Sequence, residues 1–143
     1  MGDEPTLSIN DDHDDKKLKN SSSKRVLPVT TPLLNLLSEL TAGKGKNEHL
    51  FSLPYSKRNG YVGKPSKYFS GLLKSLAIDG VSFHSLRHYE VTELFNAGVK
   101  EELIGTLMGH SVGKLTTGKV YLSGFSYKKR LAAMGLLGLH IQR

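Results

Sequence analysis

The chain has 143 residues, with 20 Lys and Arg against 13 Asp and Glu, and no Cys. That length is enough for one domain with its own core, and the missing thiols exclude disulfides and thiolate metal sites. No apolar run approaches the roughly 18 residues of a membrane span, and no signal peptide opens the chain, so the expectation is a cytoplasmic protein with no membrane partner. The net charge of +7 conceals an asymmetry. Asp3, Glu4, Asp11, Asp12, Asp14 and Asp15 put six acids and no Lys or Arg into the first 15 residues, which leaves all 20 basic residues and 7 acids for residues 16–143. Such an excess points to a polyanionic partner.

In chain order, Leu7-Ser8-Ile9 reads as a short strand and Asp11 to Asp15 as an acidic turn. Lys16, Lys17 and Lys19 follow, and then the turn-rich Asn20-Ser21-Ser22-Ser23. Lys24 to Val29 reads as a second strand, with Pro28 at a sheet edge. Residues 7–29 are thus expected to form one hairpin or small antiparallel sheet. Thr31 to Leu40 is expected to be a helix, capped by Thr31 and started by Pro32. Its Leu33, Leu34, Leu36, Leu37 and Leu40 form a wide apolar face assigned to the core. Gly43 to Asn47 is a loop, and Tyr55 to Lys64 is a polar loop in which Lys57, Arg58 and Lys64 are candidates for contact with a nucleic-acid backbone. Pro65-Ser66 opens a helix to about Leu76, with Tyr68, Phe69, Leu72, Leu73 and Leu76 expected to face the core.

The chemistry concentrates between His84 and Tyr121. His84, Arg87, His88, Val91 and Phe95 recur at helical spacing along one stripe, and Gly98 supplies the stop. Turning this stripe inward requires an anion or hydrogen-bond partners for two imidazoles and a guanidinium. A helix N-terminus already favours anions, and Arg adds a fork suited to two phosphate oxygens; the local chemistry suggests a phosphate cradle. A metal reading exists, since His84 and His88 are four apart, but it lacks the Glu of His-Glu-x-x-His and has Arg87 on the same stripe. Lys100 to Met108 is a short helix with Leu103, Ile104, Leu107 and Met108 on one face, and Gly109 ends it just before His110. Ser111 to Leu122 reads as a marginal short helix carrying Tyr121, whose phenol can attack phosphorus once its proton is removed. Ser126 to Leu139 is the last helix, with Leu131, Met134 and Leu137 on one face.

Together, His84-x-x-Arg87, then Leu107-Met108-Gly109-His110-Ser111, then Tyr121 resemble the tyrosine recombinase (phage integrase) family. Leu18-Lys19-Asn20-Ser21-Ser22-Ser23-Lys24-Arg25-Val26-Leu27-Pro28-Val29 is similar to the family's Leu-Lys-Thr-x-x-Ser-x-Arg-x-Val-Pro-Leu stretch, and Leu50-Phe51-Ser52-Leu53-Pro54 to its Leu-Phe-Pro segment. The resemblance implies site-specific DNA recombination through a 3′-phosphotyrosyl link, with double-stranded DNA as partner and no cofactor or metal. It implies Tyr121 as nucleophile, Arg87 and His110 on the scissile phosphate, His84 as proton acceptor, Lys19 as the acid that protonates the leaving 5′-oxygen, and His88 in support. Lys16, Lys17 and Lys24 are further candidates for DNA-backbone contact. The implied fold is α+β and mostly α-helical: a small antiparallel sheet with about five or six helices, arranged as a hairpin (1–30), scaffold helices and loop (31–80), active-site helices (81–123) and a C-terminal helix (124–143). In the family the last segment often packs on a neighbouring protomer, which implies a homo-oligomer on DNA.

One family feature has no counterpart. The family places another arginine upstream of the hairpin lysine, and no Arg precedes Lys19. The expectation is therefore a partial catalytic domain, a C-terminal piece of a longer integrase, weak or inactive alone. The alternatives are a non-catalytic DNA-binding or regulatory remnant and a metal-dependent hydrolase using His84, His88 and His110.

Overall fold

The alternation around Leu7 and Val26 does produce a hairpin. In a computed structural model, which describes residues 4–12, 18, 23–58, 60–61, 63–109 and 124–137, β1 (Thr6–Ile9) pairs antiparallel with β2 (Arg25–Pro28). Leu7 faces Leu27 and Ile9 faces Arg25. Among the described residues five helices follow: α1 (Thr31–Thr41), α2 (Gly63–Ser75), α3 (Ser85–Asn96), α4 (Glu101–Met108) and α5 (Tyr127–Leu136). The class is α+β and mostly helical, as expected. The helix expected over 111–122 lies outside the described residues, as do Lys16, Lys17, Lys19, His110 and Tyr121.

The chain divides into two compact units, Met1–Leu37 with Val91–Arg143, and Ser38–Glu90. The divisions fall inside α1 and α3.

The first unit contains the core. Leu94, Leu103, Ile104, Leu107, Met108 and Ala133 are buried together, and Leu27, Val91, Val99, Phe125, Met134 and Leu137 pack against them. Each large apolar side chain fully buried here stabilises by about 1.5–3 kcal/mol. α4 is short, yet five of its eight residues are buried. Glu101 and Glu102 occupy its first turn, where acids suit the dipole. Gly109 closes it in the left-handed conformation, φ 67°, donating its N–H to the Gly105 carbonyl. Ser126 caps α5 by accepting from the Lys129 N–H at 3.4 Å. The Tyr127 hydroxyl donates to the Pro5 carbonyl at 3.1 Å, and Arg130 donates to the Val26 carbonyl. α5 is thus tied to its own hairpin, and Ala133 belongs to its own core.

The second unit is built differently. No described residue between Ser38 and Glu90 is buried. Phe69 of α2 meets Phe83 edge-on, with ring centroids 5.3 Å apart, and Tyr55 meets Tyr61 at 5.2 Å. The Leu face of α1 and the aromatic face of α2 were both expected in the core. Instead α1 and α2 have no buried residue, and Tyr68 is 74% exposed. A hydrophobic stripe makes burial favourable, but an opposing surface has to be present.

α2 ends on a cap that the sequence did not announce. Ile78 donates to the Leu73 carbonyl at 2.9 Å and Ala77 to that of Lys74 at 3.1 Å. This is the six-to-one, five-to-two pattern that usually carries Gly at its left-handed position. Here Ala77 holds it, with φ 53°. α3 ends on the same pattern, Val99 to Leu94 and Gly98 to Phe95, both at 3.0 Å, with Gly98 at φ 75° as expected.

Candidate active site

The His84–Arg87–His88 group is set by how α3 begins. His84 stands just before the helix, and its carbonyl accepts from the N–H groups of Arg87 at 3.1 Å and His88 at 3.4 Å. Ser82 and Ser85 brace the turn in both directions: the Ser85 N–H donates to the Ser82 carbonyl at 2.9 Å, and the Ser82 N–H donates to Ser85 Oγ at 3.0 Å. These bonds satisfy groups that a helix start leaves unpaired. The imidazoles of His84 and His88 meet edge-on with centroids 5.0 Å apart and planes at 88°. Arg87, between them in sequence, is half-buried, while both histidines are exposed.

The stripe turns inward only in part: Val91 packs against the core and Arg87 is half-buried, while His84 and His88 stay exposed. Leu94 is the fully buried residue of α3 and Phe95, on the expected stripe, is 67% exposed. Keeping the two imidazoles in water avoids the cost of desolvating them. The result is a helix start that carries one half-buried guanidinium and two exposed imidazoles. Among the described residues there is no group of three or more His, Asp or Glu that could hold a metal ion.

The DNA-backbone candidates fall into distinct settings. Lys57 and Arg58 sit on a tight turn closed by the pairing of Ser56 with Gly60; both are exposed. Lys64, with Lys67 and Tyr68, lines an open groove along α2 that also takes in Leu53 and Leu72. Lys24 is ion-paired at the surface. Its ammonium lies 2.7 Å from Asp12 and 3.7 Å from Asp11. The hydrogen bond to Asp12, and then that carboxylate's charge, hold the lysine above its ordinary pKa.

Arg25 is the residue that sequence reasoning passed over. The sequence shows it only as part of the stretch from Leu18 to Val29 that resembles the family's. In the fold it reaches from the start of β2 to the end of α4, donating from Nε to the Leu107 carbonyl at 2.9 Å. The signal available was its place in the Ser23-x-Arg25-x-Leu27-Pro28 pattern, which said that an Arg belongs there but not what it touches.

The sequence profile of the phage integrase family matches residues 6–124. The chain belongs to the phage integrase family. The match takes in the hairpin, the α3 start, α4 with Gly109, and Tyr121. Membership implies site-specific DNA recombination in general terms, by enzymes of the tyrosine recombinase type with DNA as partner. No curated protein and no solved structure matches the chain. Among the described residues no helix is long and apolar enough to cross a membrane.

Proposed function

We propose that this integrase-family chain carries strand-exchange chemistry, with Tyr121 as the nucleophile. The phenol oxygen attacks the scissile phosphorus and its proton passes to His84. The bond from phosphorus to the 5′-oxygen breaks, and Lys19 gives a proton to that oxygen. A 3′-phosphotyrosyl link remains, and attack by a 5′-hydroxyl reverses the steps. One phosphoester replaces another, so no external energy source enters the balance. Arg87 neutralises charge on the non-bridging oxygens, where it is worth most in the transition state. His110 hydrogen-bonds the same phosphate, and His88 supports His84. Lys16, Lys17, Lys57, Arg58 and Lys64 meet the DNA backbone, an interaction that weakens steeply with salt. Assembly of copies on DNA through the C-terminal helix belongs to the same reading. The surface available for it is the exposed side of α5, with Lys128, Lys129 and Leu136.

The observation that carries this reading is the accessible cluster of Arg87 with the paired His84 and His88 rings at the start of α3. The test is capture of a covalent adduct on a pool of nicked DNA duplexes, followed by mass spectrometry of the Tyr121 peptide. Slow adduct formation is expected, on the order of 10²–10³ below a complete pocket if one phosphate donor is absent. Tyr121→Phe should abolish the adduct and leave DNA binding unchanged. Binding with no adduct at any time would replace this reading with a non-catalytic DNA-binding one.

A further inference from the structure

Arg25 makes long-range contacts that the chemistry above does not use. It opens β2 opposite Ile9. Its half-buried guanidinium donates from Nε to the Leu107 carbonyl and from Nη1 to the Ser23 carbonyl, both at 2.9 Å. It also lies over Gly109. A Cβ at Gly109 would stand 3.0 Å from the Arg25 Cζ and 3.3 Å from its Nε, and would collide with Nη1. Gly109 is thus constrained twice, by its positive φ and by the guanidinium above it. The Leu107 carbonyl belongs to the last turn of α4, which has no intrahelical donors for its final carbonyls and favours a cation. A planar fork bonds both carbonyls at once. A lysine ammonium is a point charge on a flexible stem and does not reproduce that geometry.

We propose that Arg25 is a positioning residue of the recombination reaction, fastening the exit of the hairpin turn at Ser23 to the end of α4 at Leu107–Gly109. The proposal rests on the reading of Lys19 and His110 as phosphate-handling groups. In sequence Lys19 lies four residues before Ser23, and His110 follows Gly109. One guanidinium therefore fixes the two chain points from which both groups depart. Acid catalysis and phosphate binding depend on placement within about 1 Å, so the tether matters to rate out of proportion to its stability.

The chain has no Cys, so nitroxides are placed cleanly on the 143-residue chain at Asp11→Cys and Thr106→Cys, one on each side of the tether. Pulsed electron resonance gives the distance distribution, orthovanadate titration gives the affinity for a phosphate analogue, and thermal melting controls for folding. Arg25→Lys is compared with Arg130→Lys, which alters a hydrogen bond from α5 to the same hairpin. Arg25→Lys is expected to double the width of the distribution, roughly, and to weaken vanadate binding about tenfold. Arg130→Lys is expected to leave both unchanged. A lower melting temperature in Arg25→Lys, with the parent's width and vanadate affinity retained, would overturn the proposal and leave Arg25 a structural residue. Broadening in Arg25→Lys when the parent itself binds no vanadate would keep the tether and overturn the phosphate reading on which its purpose rests.

Discussion

The two units of this chain make helices from similar material and use them differently. In the first unit, α4 buries Leu103, Ile104, Leu107 and Met108 around Leu94 and Ala133. In the second, α2 carries Tyr68, Phe69, Leu72 and Leu73 at helical spacing and buries none of them. One unit is organised by a dry core. The other is held by ring pairs, local backbone bonds and caps. The cluster at His84, Arg87 and His88 lies in the second unit, where no described residue is buried. The tethers Arg25 and Arg130 belong to the first kind, where fixed geometry is possible.

The largest effect expected from this contrast is at Leu94. Leu94→Ala removes a fully buried side chain and should cost about 2–5 kcal/mol. Phe69→Ala breaks a half-exposed ring pair and should cost about 1 kcal/mol. Urea denaturation followed by circular dichroism measures both, and equal losses would erase the distinction between the units.

A smaller effect separates the two matching helix caps. Ala77→Gly should stabilise by about 1 kcal/mol, because it removes a Cβ from a left-handed residue. Gly98→Ala should destabilise by about the same amount, through backbone strain alone, since nothing lies within 4 Å of the added Cβ. Melting temperatures that move in the same direction for both variants would refute the cap assignment.

The smallest effect is electrostatic. Glu48 accepts from the Gly45 N–H at 3.2 Å and pairs with Lys44 at 3.1 Å. The backbone donor first, and then the lysine, hold its carboxyl below the usual glutamate pKa. A depressed folded value contributes stability above the unfolded pKa, near about 4.3, which is lost as the pH falls through the folded value. Glu48→Gln should flatten the acid limb of the melting curve slightly between pH 6 and 3. An unchanged limb would show that this loop takes no stability from the carboxylate. The group is exposed, so solvent keeps the effect small.

Much of this was legible in the residues. The hairpin, the start of α1 and the glycine stops at Gly98 and Gly109 follow from turn residues, helical spacing and local cap chemistry, whereas α2 begins at Gly63, two residues before the expected Pro65. Even so, the details moved. Thr30 rather than Thr31 supplies the first carbonyl of α1, accepting from Leu34 at 2.8 Å. Ala77 takes a position where Gly was the natural expectation. The faces of α1, α2 and α3 were harder to read. Periodicity names a stripe but does not say whether another surface will cover it, and the stripe through His84 and Arg87 yielded to Leu94.

By itself the sequence determined the order and kind of the described elements and the family, because caps, turns and short motifs act over a few residues. The family's motif residues were readable for the same reason. Only the tertiary structure decided which leucines are dry, that α5 docks on its own hairpin, and that Lys24 is matched by Asp12. It alone also gave Arg25 a partner 82 residues away. Those outcomes depend on which surfaces meet, and that is set by the balance of burial and desolvation over the whole fold rather than by any local run of residues.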